Sequence, residues 1–174
     1  HFYSSMSGVT RRHAMRYAGV IEGVYLNDGI DVEMIADGVH LPVPLLQLIY
    51  KIKGTNNIAL ITDAMRAAGT DVTESMLGSK SDGLKVIIED GVAKLPDRTS
   101  FAGSVATTDR LVRTMVLNAG ISLVEAIRMM SLTPARIMNV EHSIGSIAEG
   151  KEADLVLLDD HLRVKSVFLK GKLC

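Results

Sequence analysis

The feature that most constrains the fold is a succession of an apolar run, a helical pattern and a second apolar run. Residues 31–36 are mostly apolar and lead into Asp37, which predicts a buried strand followed by a turn. A segment with apolar residues at helical spacing comes next, and Gly54 ends it. The uncharged run 58–62 then leads into Asp63. Strand, helix and strand with short connections indicate a parallel βα unit, so we expect an α/β fold.

The middle of the chain changes to a hairpin and further helices. Residues 84–95 predict a β-hairpin in which Asp90-Gly91 forms a primed turn. Residues 107–118 predict a helix, and a second helix runs from a capping box at Ser122 to about residue 132. This part therefore does not repeat the parallel unit.

A polar connection bounded by glycines, residues 145–151, separates the tail from the rest of the chain. Behind it, the apolar runs 153–158 and 164–169 predict strands of a small antiparallel β portion. We therefore expect two domains, 1–144 and 145–174.

Composition and charge argue against several classes of function. A chain of 174 residues with a formal net charge of -1 offers no electrostatic case for binding nucleic acid or an anionic membrane. No apolar run reaches the roughly 18 residues of a membrane span, and no secretory signal is visible. The single cysteine, Cys174, cannot form an internal disulfide, so we expect a cytoplasmic protein. Because the chain opens on His1 and not on Met, we expect a processed start or a fragment.

Ionisable residues follow both predicted parallel strands. The carboxyl ends of parallel strands meet at one edge and build the active site in α/β barrels, so we expect Asp37, His40 and Asp63 to lie together. A carboxylate there can ligate a metal or carry a proton. A histidine can bind a metal or donate to a phosphate or sugar oxygen. The structural alternatives are a helix cap for Asp63 and a loop histidine bonded to backbone for His40.

Three further groups are candidates. His1 is either a ligand or an ordinary chain terminus. The glycine-containing loop 101–104 precedes a helix, so it either brings backbone amides to a ligand or simply starts the helix. Arg11, Arg12 and Arg16 either bind phosphate through their planar guanidinium groups or form a solvated face.

Six stretches of the chain, taken in order, carry a resemblance to a known family. They are 1–7, 35–40, 60–65, 101–104, 133–136 and 145–156. The last stretch is typical of many amidohydrolases, whereas the first three are more selective. The chain resembles the N-acetylglucosamine-6-phosphate deacetylases, a family of the amidohydrolase superfamily.

The resemblance implies a fold and a set of site residues. The fold would be the C-terminal part of a (β/α)8 metal-dependent hydrolase barrel in residues 1–144 and strands of a small β-sandwich in 145–174. His1 would ligate the metal, and Asp63 would be the catalytic aspartate. The positions that match substrate-binding segments of the family are Ser4, Ser5, Arg16, Asp37, Gly38, Val39, His40, Phe101, Ala102 and Gly103.

Two of these matches depart from the family. Ser4 and Ser5 stand where better-known members have an Asn-Ala pair, so a side-chain amide contact is lost. The match of Arg16 to a phosphate-binding arginine requires extra residues in this chain, which leaves Arg11 or Arg12 as the alternative.

The implied activity is hydrolysis of N-acetylglucosamine 6-phosphate to glucosamine 6-phosphate and acetate, in amino sugar catabolism. The resemblance also implies a divalent metal, zinc or iron, and a homodimer. The family's other metal ligands lie upstream of the stretch that starts at His1, so we expect this chain alone to be inactive. The alternatives are another metal-dependent amidohydrolase, of the dihydroorotase or dipeptidase kind, and a non-catalytic assembly fragment.

Overall fold

Two elements that the sequence analysis missed precede the predicted βα unit. The computed structural model describes residues 1–174, and it begins with a hairpin of β1 (Thr10–Arg12) and β2 (Met15–Tyr17) followed by α1 (Val20–Leu26). Every residue of the hairpin strands is exposed, so the sequence carries no alternation of apolar and polar positions there. Helix α1 buries only Ile21, which leaves no apolar stripe to recognise.

The predicted βα unit is confirmed. Strands β3 (Val32–Met34) and β4 (Ile58–Leu60) are parallel neighbours, and α2 (Val43–Lys53) connects them. Helix α2 ends at Gly54, whose φ of 68° is accessible to glycine at little cost. A short 3-10 helix, Thr55–Asn57, leads into β4. The unit therefore brings the residues that follow β3 and β4 to the same edge of the sheet.

The predicted hairpin is also confirmed, within a larger antiparallel sheet. This sheet consists of β5 (Glu74–Leu77), β6 (Leu84–Glu89) and β7 (Val92–Lys94) in sequential order. Asp90 and Gly91 connect β6 to β7 with φ values of 53° and 72°, as a type I′ turn requires. Strand β5 has no clear sequence pattern, because its mixed polar and apolar residues are only partly buried.

Both predicted helices are present with adjusted bounds. Helix α3 (Thr108–Arg113) continues into a π-helical turn at Thr114–Asn118, and α4 (Leu123–Met130) is followed by α5 (Leu132–Ile137). In the capping box, the Glu125 amide donates to the Ser122 hydroxyl over 3.3 Å. The Glu125 carboxylate accepts from that same hydroxyl over 2.6 Å. The Ser122 hydroxyl therefore makes both hydrogen bonds of the capping box, one as acceptor and one as donor.

Two apolar clusters lie on either side of the chain segment around Asp63. The larger cluster joins β3 and β4 to α2, α3 and α4, and its fully buried members include Met34, Ile49, Leu60, Leu111 and Met129. The smaller one joins β6 and β7 to the segments that follow Asp63 and Phe101, and it consists of Met65, Ala67, Val86, Ala93 and Ala102. Burial of a large apolar side chain contributes about 1.5–3 kcal/mol, so the larger cluster anchors this segment more strongly than the smaller one, in which three of five members are alanines.

The tail forms a separate antiparallel sheet. Strands β8 (Leu155–Leu158) and β9 (Val164–Leu169) confirm the two predicted strands, and the short β10 (Lys172–Leu173) extends the sheet. None of its residues is buried, although neighbouring positions such as Val156 and Leu157 point to opposite faces and are both apolar. The whole is a mixed α/β structure, and none of its helices has the length and apolar character to cross a membrane. The division at residue 144 stays a prediction.

Candidate active site

Asp63 follows β4 and stands next to His1. Its Oδ2 lies 4.0 Å from His1 Nε2, with half of the aspartate side chain exposed and most of the histidine side chain covered. The Asp63 backbone has a φ of 46°, in the left-handed region that few residues other than glycine adopt. Strained backbone of this kind is concentrated at functional sites, where the surrounding structure holds it in place. The site therefore offers an accessible carboxylate beside an imidazole.

Asp37 and His40 form a buried pair at the end of β3. His40 Nδ1 lies 2.7 Å from Asp37 Oδ2, within hydrogen-bond distance, and the two side chains are only 5% and 0% exposed. Asp37 Oδ1 accepts from the backbone amides of Val39 and His40, each over 2.9 Å. Burial by itself opposes ionisation of Asp37. The hydrogen bonds from His40 and the two amides outweigh it, so the pKa of the carboxyl lies below its ordinary value.

The rings of the site stack around His40. The His1 ring lies edge-on with its centroid 5.8 Å from that of His40, and the Phe101 ring lies 4.4 Å away on a tilted plane. His1 therefore neighbours both His40 and Asp63. The positions of His40 and Asp63 after parallel strands predict that these two lie at one site, whereas His1 was a candidate only through the family resemblance. Phe101 completes the group, and it comes from a segment almost forty positions after Asp63 in the chain.

The segment that contains Phe101 also fixes the backbone of Asp63. The Ser104 amide donates to the Asp63 carbonyl over 2.9 Å, and the Met65 amide donates to the Ser104 carbonyl over 2.8 Å. On its other side, the Ala102 amide donates to a carbonyl of β7 over 3.0 Å. Gly103 has a φ of 70° and would place a Cβ 3.5 Å from that of Met65. A side chain larger than hydrogen would therefore strain the backbone here.

Two serines lie beside His1. The Ser4 hydroxyl is 3.0 Å from both ring nitrogens of His1, so it is close enough to pair with the imidazole. Ser5 is exposed and has a φ of 54°. Ser4 is thus in contact with a residue of the site, and Ser5 follows it in an exposed position.

The arginines are on the β1–β2 hairpin. Arg11 lies directly opposite Arg16, so these two side chains share one face of the hairpin, while Arg12 lies on the other face opposite Met15. Two like charges in such a pair repel each other, and an anion between them removes the repulsion. No hydrogen bond or ion pair connects Arg16 to His1, His40 or Asp63.

The donors present in this chain do not make a complete metal site. No group of three His, Cys, Asp or Glu side chains lies close enough to hold a metal ion. A catalytic zinc site has three protein ligands and one open position, whereas His1 and Asp63 supply two groups at most.

Arg110 is a residue of the site that the sequence analysis missed. Its guanidinium donates to the Asp37 carbonyl over 3.2 Å and to the Gly91 carbonyl over 2.7 Å, which ties the β6–β7 turn to the loop after β3. A basic residue in a predicted amphipathic helix gives no signal of such a contact, since its two acceptors are distant in sequence.

A match to a protein-family model identifies the family of this chain. The Amidohydrolase family model matches residues 2–174. The chain belongs to the amidohydrolase family.

Relatives of this amidohydrolase are similar over nearly its full length. It is 35% identical to an N-acetylglucosamine-6-phosphate deacetylase of Lysinibacillus sphaericus over 99% of the chain and 42% of the relative. It is 34% identical to a putative N-acetylgalactosamine-6-phosphate deacetylase of Escherichia coli K12, over 99% of the chain and 98% of that relative. The amidohydrolase thus spans about two fifths of the length of the first and nearly all of the second.

Solved structures agree with the sequence relatives. The N-acetylglucosamine-6-phosphate deacetylase of Pasteurella multocida superposes with a TM-score of 0.87 at 30% identity, over 100% of this chain and 43% of the other. A mutant of the Mycobacterium smegmatis N-acetyl-D-glucosamine-6-phosphate deacetylase, in complex with N-acetyl-D-glucosamine 6-phosphate, superposes with a TM-score of 0.86 at 31% identity over 99% of this chain and 44% of the other. The amidohydrolase therefore has the fold of the corresponding part of these enzymes.

Proposed function

We propose that this amidohydrolase contributes to the hydrolysis of N-acetylglucosamine 6-phosphate to glucosamine 6-phosphate and acetate. The observation that carries the proposal is the pairing of Asp63 with His1 after a parallel strand, in a chain similar over its whole length to deacetylases of this substrate. The dihydroorotase or dipeptidase alternative has no relative of comparable similarity among those named above. A purely non-catalytic fragment would have no need for the covered His1 and the exposed Asp63 carboxylate.

Asp63 moves the proton in the proposed reaction. A water oxygen attacks the amide carbonyl carbon, and Asp63 takes the proton that the water loses. Breaking the C–N bond leaves an amine that is a poor leaving group, and Asp63 returns the proton to this nitrogen. The half-exposed Asp63 carboxylate suits this role, since it is open to a ligand and its backbone is fixed by Ser104.

The remaining residues of the site bind the sugar phosphate. Holding the substrate in a fixed geometry turns a loose encounter into a productive one. The proposed contacts come from the side chains and backbone at Ser4, Ser5, Arg16, Asp37, Gly38, Val39, His40, Phe101, Ala102 and Gly103. Arg16 would reach the site of a second subunit in a homodimer, with Arg11 beside it on the same face. Planar guanidinium groups suit phosphate because they bond it bidentately.

Amidohydrolases generally depend on a divalent metal, and we propose that His1 is one ligand of zinc or iron here. The other ligands would come from outside this chain, because the donors within it are too few. In the complete protein, β3 and β4 would belong to a (β/α)8 barrel and β8–β10 to a small β-sandwich. The protein would work in the cytoplasm.

Acetate release tests the proposal. The assay compares this chain with a version extended upstream by the segment that carries the family's other metal ligands. Each is incubated with N-acetylglucosamine 6-phosphate or with its galactosamine epimer, and zinc or ferrous iron is added. We expect turnover of the glucosamine substrate by the extended version and none by this chain alone. No turnover of either sugar by the extended version would refute the proposal.

A further inference from the structure

The Asp37 carboxylate is out of reach of a ligand, because its side chain is 0% exposed. Its side chain is fully covered, and its two oxygens accept from the Val39 amide, the His40 amide and His40 Nδ1. A substrate cannot reach this carboxylate without displacing the His40 ring. Any contribution of Asp37 to binding must therefore pass through His40.

We propose that Asp37 is a positioning residue, which fixes the tautomer and the orientation of the His40 ring so that Nε2 is the atom offered to the substrate. This inference rests on the proposed function for the identity of the substrate. An ionised carboxylate only accepts hydrogen bonds, so the imidazole nitrogen 2.7 Å from it must carry the hydrogen. In the neutral ring, Nε2 then holds the lone pair and accepts from a donor such as a sugar hydroxyl.

The backbone around the pair holds this arrangement in place. Arg110 donates to the Asp37 carbonyl, so the loop is held from α3 as well as from its own side chain. Gly38 has a φ of 82°, and a Cβ there would lie 3.5 Å from a methyl group of Thr114. The rings of His1 and Phe101 occupy two sides of the His40 ring. The ring is thus confined, and Nε2 is its one nitrogen without a protein partner.

The proposal predicts a specific consequence for Asp37→Asn. The asparagine has nearly the same shape and can still accept from the Val39 and His40 amides. Its NH2 group, however, can donate to His40 Nδ1, and this stabilises the tautomer with hydrogen on Nε2. In this tautomer, His40 Nε2 donates a hydrogen bond to the ligand and can no longer accept one, while the position of the ring stays the same.

Nitrogen NMR of the ligand-free, metal-free chain tests the proposal directly. The His40 resonances are assigned by their loss in His40→Gln. We expect hydrogen on Nδ1 in the unaltered chain and a shift toward the Nε2–H tautomer in Asp37→Asn. Asp159→Asn is the matched control, because Asp159 also accepts two backbone amides, those of His161 and Arg163, in an exposed loop. It should leave His40 unchanged. Hydrogen on Nε2 in the unaltered chain would overturn the proposal without any variant.

Kinetics of the upstream-extended protein provide the second test. In Asp37→Asn we expect a rise in KM of about 10- to 100-fold with a much smaller change in kcat, which corresponds to the loss of one substrate hydrogen bond. The effect should disappear in a His40→Gln background, since Asp37 acts through that ring. Equal penalties in both backgrounds would refute positioning. Absence of turnover in the unaltered protein would refute the proposed function, while the NMR result would still decide the role of Asp37.

Discussion

Asp63 combines an accessible carboxylate, a neighbouring imidazole and a left-handed backbone φ in one residue. Its carboxylate is half exposed and lies 4.0 Å from His1 Nε2. Its carbonyl accepts from the Ser104 amide, which helps to hold the left-handed φ. A structural cap, the alternative interpretation of the sequence, would have its carboxylate bonded to backbone amides, and no such bond involves Asp63.

Asp63→Asn should abolish most of the activity of the upstream-extended protein. General acid–base catalysis contributes about 10²–10⁴-fold, so we expect kcat for acetate release to fall by that factor with little change in KM. Asp97→Asn is the control, because Asp97 is an exposed aspartate that bonds only to Thr99. Retention of near-normal kcat in Asp63→Asn would remove Asp63 from the reaction.

The Asp37 carboxyl should make stability depend on pH in the acid range. Its folded pKa lies below the unfolded value of about 3.9, so it stabilises the fold fully above that pH. As pH falls below about 4 and through the folded pKa, this contribution is lost. In urea unfolding between pH 2 and 6, we expect Asp37→Asn to flatten this part of the profile. An unchanged slope in the variant would show that other groups are responsible.

At the scale of elements, the connection between α5 and the tail sheet is fixed by close packing at one glycine. A Cβ at Gly145 would lie 2.7 Å from the Ala135 Cβ and 3.1 Å from the Ser131 carbonyl oxygen. Both neighbours belong to the segment that starts and forms α5, so the chain can approach this helix only where no side chain intervenes. Gly150, farther along the same connection, has a similar φ and no atom nearby.

These two glycines make a matched pair for a stability test. Gly145→Ala and Gly150→Ala carry the same backbone strain, with φ values of 86° and 84°. Only Gly145→Ala adds a steric clash, and overpacking costs about 1–3 kcal/mol. We expect the free energy of unfolding to fall by that much more in Gly145→Ala than in Gly150→Ala. Equal losses in urea titrations of the two variants would contradict the packing described at α5.

At the scale of the whole molecule, the tail sheet is exposed and no group of three donors lies close enough to hold a metal. The β8–β10 sheet carries apolar residues on both faces, yet it has no buried residue. Exposed apolar surface of this kind marks an interaction site. The chain spans 42% of the Lysinibacillus relative and supplies too few donors for a metal. Both features support the proposal that a further protein segment completes the site and the sheet.

Metal binding should reflect the incomplete donor set. In equilibrium dialysis with zinc, we expect no stoichiometric retention by this chain, because His1 and Asp63 are two donors where a catalytic site needs three. The upstream-extended version should retain the metal, and His1→Gln in that version should weaken retention. Tight, stoichiometric binding by this chain alone would contradict the proposed division of ligands.

The sequence by itself determined the elements whose signal is local. Apolar runs and helical spacing predicted β3, α2 and β4, and Asp90-Gly91 predicted the β6–β7 turn, because periodicity and turn chemistry depend on neighbouring residues. Only the tertiary structure decided the rest. The exposed β1–β2 hairpin has no apolar pattern, so its pairing of Arg11 with Arg16 was invisible. The contact of Arg110 with Asp37 joins residues 73 positions apart, and no local rule predicts which distant groups packing will bring together.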